Sequence, residues 1–304
     1  MRLWVTLSSF LLVFALAACQ LKMSPLLYSF EQWRNNLHED QIQIDDFTIA
    51  YLHGGQGEAI MLVHGFGANK DTWIRFAGKL TERYNVYAID LPGFGDSSKL
   101  AGASYSIEAQ AKRLDKIRER LGIQRMHLVG NSMGSNIATV YAAEHPDKLL
   151  SLTFINAGGI PTPIPSDAQK KLEEGQNTLL VESREDFERL MEYTFVKPPY
   201  IPGPMLEEFF NKAKENRAWN EAISQEIAAT RQLTVNYLSK VSVPLLVIWG
   251  ENDRITHVSA TQVIQNIKPQ ADIHIIPRSG HAPMIESVEE SARTFLNFID
   301  QRTM

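Results

Sequence analysis

The sequence predicts the α/β class: a mostly parallel β-sheet with helices on both faces and an inserted helical cap. Two patterns carry this. Short continuous apolar runs alternate with longer stretches of helical period. That alternation then stops over residues 161–239, where the pattern is charged, helical and free of strand signals.

Leu26, Leu27, Phe30, Trp33 and Leu37 recur at roughly helical spacing and predict an amphipathic helix. Such a helix either packs on the core or lies at a membrane surface. From Ile42 the period shortens. Ile42, Ile44, Phe47, Ile49 and Tyr51 predict short strands broken at Asp45-Asp46. Gly54-Gly55-Gln56-Gly57 is a turn signal.

Six apolar runs follow, ending at Val63, Ile89, Val129, Ile155, Trp249 and Ile276. Continuous apolar runs are expected of strands buried on both faces of a parallel sheet. Helical patterns lie between them: Ile107 to Leu121, Asn136 to Glu144, Gln262 to Ile267 and Val288 to Ile299. His145-Pro146 stops the second.

The cap segment is entered through Pro161, Pro163 and Pro165 and divided by Pro198-Pro199-Tyr200-Ile201-Pro202-Gly203-Pro204. Three or four helices are expected there. The predicted organisation is a leader over 1–18, a tether and amphipathic segment over 19–40, a core in two parts over 41–160 and 240–304, and the cap over 161–239.

With 304 residues, one large domain has ample core. Net charge is −5, with no basic run and no zinc-type Cys/His spacing, so nucleic-acid partners are not expected.

The amino terminus differs from the rest. Arg2 precedes the apolar run Leu3 to Ala18, which ends in small residues, the pattern of a secretory signal peptide. Cys19 is the sole cysteine, so no intramolecular disulfide is possible. Leu16-Ala17-Ala18-Cys19 resembles the lipobox of bacterial lipoproteins. That resemblance implies cleavage before Cys19, acylation of it, and anchoring to the cell envelope. Gln20 after it is compatible with the outer membrane.

Gly130-Asn131-Ser132-Met133-Gly134 matches G-x-S-x-G between a predicted strand and a predicted helix. This is the context of a nucleophile elbow, and it nominates Ser132. A serine hydroxyl needs a base within reach. His281 is the best-placed candidate, in Arg278-Ser279-Gly280-His281 after the last predicted strand, with His257 its nearest rival. The orienting carboxylate is expected between them in the chain, and Asp253 fits, with Glu251 the alternative. The oxyanion donors are expected to be the backbone N–H groups of Met133 and Phe66, the latter in His64-Gly65-Phe66-Gly67. His64 reads as a support for that loop. This chemistry needs no metal or organic cofactor.

These motifs, with Asp90-Leu91-Pro92-Gly93-Phe94-Gly95-Asp96-Ser97 between them, stand in the order of the α/β-hydrolase superfamily. The chain resembles bacterial lipases and carboxylesterases of lipolytic family V and is similar to monoacylglycerol-lipase-like hydrolases. Gly65 to Trp73 carries most of that likeness. The resemblance implies hydrolysis of carboxylic esters, acylglycerols among them, through an acyl-enzyme. A serine at the elbow argues against the dehalogenases and epoxide hydrolases of this superfamily, which use aspartate there. Two other readings stay open: a carbon–carbon bond hydrolase of the same fold, and a non-catalytic binding protein of the envelope.

Overall fold

The computed structural model describes residues 23–230 and 233–302. The predicted leader, Cys19 and the start of the tether lie outside these residues.

Helix α1 (Met23–Arg34) leads into an antiparallel pair, β1 (His38–Ile44) and β2 (Phe47–Gly54). The break expected at Asp45-Asp46 is the turn between them, with Asp45 at φ 47°. A short aspartate tolerates that left-handed conformation better than most residues. β3 (Ala59–Val63) is followed by a 3₁₀ turn, Lys70–Trp73, and α2 (Ile74–Gly78). Next come β4 (Asn85–Ile89), α3 (Ile107–Arg120), β5 (Met126–Asn131), α4 (Met133–Glu144) and β6 (Leu149–Ile155).

Five helices then intervene: α5 (Asp167–Glu173), α6 (Arg184–Thr194), α7 (Gly203–Glu215), α8 (Arg217–Thr230) and α9 (Leu233–Lys240). This is more than the three or four expected, because α5 and α9 are too short to show a period of their own. The chain closes with β7 (Leu245–Gly250), α10 (Ala260–Ile267), β8 (Asp272–Ile276), α11 (Pro283–Glu286) and α12 (Val288–Asp300). Local caps fix several starts. The Ser106 side chain accepts from Ala109 N–H ahead of α3, and Ser183 with Asp186 forms a reciprocal capping box ahead of α6.

The eight strands form one sheet in the order β1-β2-β4-β3-β5-β6-β7-β8. β2 runs antiparallel to β1 and β4, and every other pairing is parallel. Strand pleating divides each apolar run between two cores. Met61, Val63, Leu128 and Leu152 face one side with Ile137 of α4 and Leu114 of α3. Ile60, Leu62, Val129 and Ile248 face the other with Phe76 of α2 and Phe295 of α12.

One strand departs from expectation. The run ending at Ile276 was expected to be buried on both faces, yet β8 closes the sheet and leaves Ile275 43% exposed. An edge strand has a neighbour on one side only.

The chain leaves β3 for β4 on one flank and returns to β5 on the other. This reversal is the switch point at which open α/β sheets bind ligands, outside the carboxyl ends of the strands. The loops after β3, β5, β6, β7 and β8 all open there.

Candidate active site

Ser132 occupies the step from β5 to α4 with φ 51° and ψ −117°. L-residues rarely adopt this conformation, and it persists only where surrounding packing enforces it. The two glycines of the motif show why. A Cβ on Gly130 would lie 2.4 Å from the Gly134 backbone, and one on Gly134 would lie 2.2 Å from the Val63 carbonyl oxygen. Helix α4 therefore presses against its own strand and against β3. Ser135 Oγ donates to the Gly130 carbonyl at 2.5 Å and Ser132 N–H to the Ile155 carbonyl at 3.1 Å, pinning the turn.

His281 and Asp253 meet across the loops that follow β8 and β7. The Nδ1 of His281 lies 2.8 Å from Asp253 Oδ2, and both residues are buried. Asp253 is held on all sides. Its Oδ1 accepts the N–H groups of Ile255 and Thr256 at 2.7 and 2.9 Å. Its Oδ2 also accepts from Thr256 Oγ1 at 2.7 Å and Asn156 Nδ2 at 2.5 Å. Burial alone would push this carboxyl up. The facing His281 and the hydrogen bonds from His281, Asn156 and Thr256 outweigh burial and hold it below the usual carboxylate range. An ionised carboxylate accepts only, so Nδ1 carries the imidazole hydrogen and Nε2 keeps its lone pair. That is the tautomer a general base requires.

Asn131, beside the serine, donates through Nδ2 to the His281 carbonyl at 3.2 Å and to the Ile155 carbonyl at 3.0 Å. The elbow and the histidine loop are thus tied by backbone and amide. The His281 ring bonds Asp253 and Thr256, and forms no hydrogen bond with the Ser132 hydroxyl. Such contacts are often loose without substrate and tighten when it binds.

The loop after β3 lies against the serine, since a Cβ on Gly65 would sit 3.1 Å from Ser132 Cβ. His64 is fully buried, and burial pushes its pKa down. Its Nε2 accepts Leu91 N–H at 3.1 Å, so Nδ1 donates to the Gly65 carbonyl at 2.7 Å. That carbonyl and the Phe66 N–H belong to one planar peptide and point in opposite directions. Fixing the one aims the other. The Met133 N–H stands in the first turn of α4, where no helix carbonyl reaches it.

The family model described as alpha/beta hydrolase fold matches residues 58–288. The chain belongs to this hydrolase family. It is 36% identical over 280 residues to Lipase 3 of Moraxella sp. (strain TA144), covering 90% of this chain and 88% of that one. It is 30% identical over 256 residues to a monoacylglycerol lipase of Xenopus laevis, covering 81% and 76%. A solved structure described as a membrane phospholipase A, a novel bacterial virulence factor, superposes with a TM-score of 0.91 at 38% identity, covering 98% of each chain.

Other parts of the hydrolase hold this site together. Asp90 accepts Lys70 N–H at 2.6 Å and Asp96 N–H at 2.8 Å, and so folds the 90–97 loop onto the loop after β3. Phe94 of that loop meets His64 and Phe66 edge to face. The helical insert covers the same edge of the sheet. Trp219 Nε1 of α8 donates to the Gly93 carbonyl at 2.8 Å, and Thr194 at the end of α6 accepts His281 N–H at 2.7 Å.

The rival candidates are engaged elsewhere. His257 Nδ1 bonds Ser259, and Glu251 is exposed. Two further histidines lie apart from the pair: His127 bonds Ser151 and Glu58, and the His145 ring lies against that of Tyr141. Two contributors escaped the sequence reading, Asn156 and Thr256. Asn156 has φ 49° directly after β6, and besides gripping Asp253 it accepts Gly250 N–H at 3.1 Å. A polar residue closing an apolar run beside the elbow strand was the available signal. For Thr256 the signal was its place three residues after Asp253, suited to a local turn.

Proposed function

We propose that this protein hydrolyses carboxylic esters with an apolar acyl chain, acylglycerols among them, through an acyl-enzyme on Ser132. The observation that carries the reading is the His281–Asp253 pair, locked in the base-competent tautomer at the sheet edge where the strained serine turn opens. In the proposed reaction Ser132 Oγ attacks the ester carbonyl carbon while His281 Nε2 takes the hydroxyl proton. The oxyanion accepts the N–H groups of Met133 and Phe66. Collapse expels the alcohol, which takes its proton from His281. Water, deprotonated by the same nitrogen, then attacks the acyl-enzyme and releases the acid. Relatives described as lipases and a monoacylglycerol lipase favour ester cleavage over carbon–carbon cleavage or a purely binding role.

We further propose export and anchoring to the bacterial envelope, most simply at the outer membrane, by acylation of Cys19. The sequence Leu16-Ala17-Ala18-Cys19 supports this, as does the membrane phospholipase among the similar structures. No described helix is long and apolar enough to cross a membrane.

Ser132→Ala should abolish hydrolysis of p-nitrophenyl esters and labelling by a fluorophosphonate probe. Retained turnover would refute the catalytic assignment. Cys19→Ala should abolish incorporation of radiolabelled palmitate, and undiminished labelling would refute the anchoring site.

A further inference from the structure

Helix α1 turns two different faces outward and inward. Tyr28 stacks on Phe209 of α7 with ring centroids 6.3 Å apart, and Gln32 is buried and reaches Asp71 at 3.5 Å. The helix end is wedged tightly. A Cβ on Gly78 would lie 2.0 Å from Asn35 Oδ1, and one on Gly54 would lie 2.1 Å from the Asn36 carbonyl oxygen. Phe30 and Trp33, one turn apart on the opposite face, lie 53% and 75% exposed with ring centroids 6.0 Å from each other. The segment between α6 and α7 exposes Val196 and leaves Tyr200 90% exposed. Phe195 and Tyr28 pack on the same core cluster, and the Tyr28 ring meets Phe209 of α7, the helix that begins three residues after Tyr200.

We infer that Phe30, Trp33, Val196 and Tyr200 form an apolar rim that seats in a lipid bilayer and holds the entrance of the site against it. Large aromatic side chains exposed on a rigid helix mark an interaction surface, and tryptophan and tyrosine suit the boundary between lipid and water. The chain ahead of α1 identifies the occupant. The apolar run Leu3 to Ala18 and Cys19 are separated from Met23 by only three or four residues. Such a link reaches at most about 14 Å. Whatever holds that segment in lipid holds α1 at the lipid surface.

The rim is coupled to the site. Thr194, two residues before Val196, accepts His281 N–H, and Lys197 N–H donates to Glu286 of α11. Arg34 and Arg75 beside the aromatic pair are both engaged with Glu31. Seating therefore rests on apolar insertion and should survive high salt. The inference deepens the ester-hydrolase reading: the substrate is drawn from the bilayer rather than from solution.

The test uses the mature lipidated protein beginning at Cys19, which lacks Trp4, reconstituted in phosphatidylcholine vesicles. Brominated acyl chains should quench Trp33, and the quenched component should vanish in Trp33→Phe. The double variant Phe30→Ser/Trp33→Ser should lose on the order of 10²-fold in hydrolysis of a bilayer-resident monoacylglycerol, in line with losing two inserted side chains. Its turnover of a soluble short-chain p-nitrophenyl ester should be unchanged, which also reports intact folding. Tyr200→Ser should show the same split to a smaller degree. Unquenched Trp33, equal loss on both substrates, or a change of oligomeric state in the double variant would overturn the inference. A wild type inactive on both esters yet quenched at Trp33 would instead defeat the hydrolase reading and leave the seating intact.

Discussion

At the scale of single residues, charge and tautomer decide what this site can do. Asp253 combines full burial with five hydrogen-bond contacts, including two from backbone N–H groups. Asp253→Asn keeps the shape but presents an amide that can donate to Nδ1, favouring the wrong tautomer. It should lower kcat by roughly 10⁴-fold, with modest change in KM in steady-state assays. In the proposed reaction His64 acts at one remove, by orienting the Gly65–Phe66 peptide. His64→Ala should lower kcat on the order of 10²-fold, the range for losing one oxyanion donor. KM should move little, and a matched loss in KM alone would show that the peptide is not aimed by this ring. The placement of Ser132, Asp253 and His281 at the carboxyl edge of the sheet was legible in the sequence because each follows a recognisable strand. Asn156 was not, because its role depends on β6 lying between β5 and β7, which no local pattern states.

Among elements, the long buried strands were legible to within a residue or two. Ala59–Val63 is a continuous apolar run and Leu149–Ile155 is apolar except for Ser151 and Thr153, and burial on two faces leaves little freedom of register. The short pieces were not. α2 and α11 span five and four residues, less than two helical turns, and they form because the core beneath them accepts Phe76 and Met284. The contact between α8 and the 90–97 loop is likewise tertiary. Trp219 donates to the Gly93 carbonyl while its ring meets Tyr105 edge to face at 5.3 Å. Trp219→Phe preserves the ring contact and removes the donor. It should destabilise the fold by about 1 kcal/mol in denaturant titration. It should also speed proteolysis within α8 relative to the core, because the helix loses a fixed point on the sheet edge.

For the molecule as a whole, two carboxyls pull stability in opposite directions with pH. Asp71 lies beneath α1 beside Lys70, whose ammonium also contacts Asp96 at 2.6 Å, Glu39 at 3.2 Å and Asp90 at 3.4 Å. Burial raises Asp71 to about 6; Lys70 opposes this, while Asp90, Glu39 and Asp96 add to it. A raised folded value means the native state holds a proton that the unfolded chain has released. Stability therefore falls as pH rises from about 4 to about 6 and stays reduced above. Asp71→Asn should stabilise the protein at pH 8 by on the order of 1–3 kcal/mol and give no gain at pH 4. Thermal melts at the two pH values check this. Asp253 is depressed, so its contribution is present above the unfolded value near 4 and lost as pH falls through its lower folded value. Asp253→Asn should accordingly be less stable than wild type near neutral pH, and thermal melts should show the difference shrinking as pH falls.

The strand pairing has a practical corollary. β6 and β7 are hydrogen-bonded neighbours, with Leu152 opposite Leu245 and Ile155 opposite Ile248, and all five intervening helices return to where they left. Ladder and serine turn are completed by residues up to 158, where Gly158 N–H reaches the Ser132 carbonyl, and after 244, while the insert's direct tie to His281 is the Thr194 carbonyl. A foreign segment spliced between those points, with an acceptor kept for His281 N–H, should retain the arrangement around Ser132 while bringing its own selectivity, which makes this scaffold a natural chassis for exchanging substrate preference.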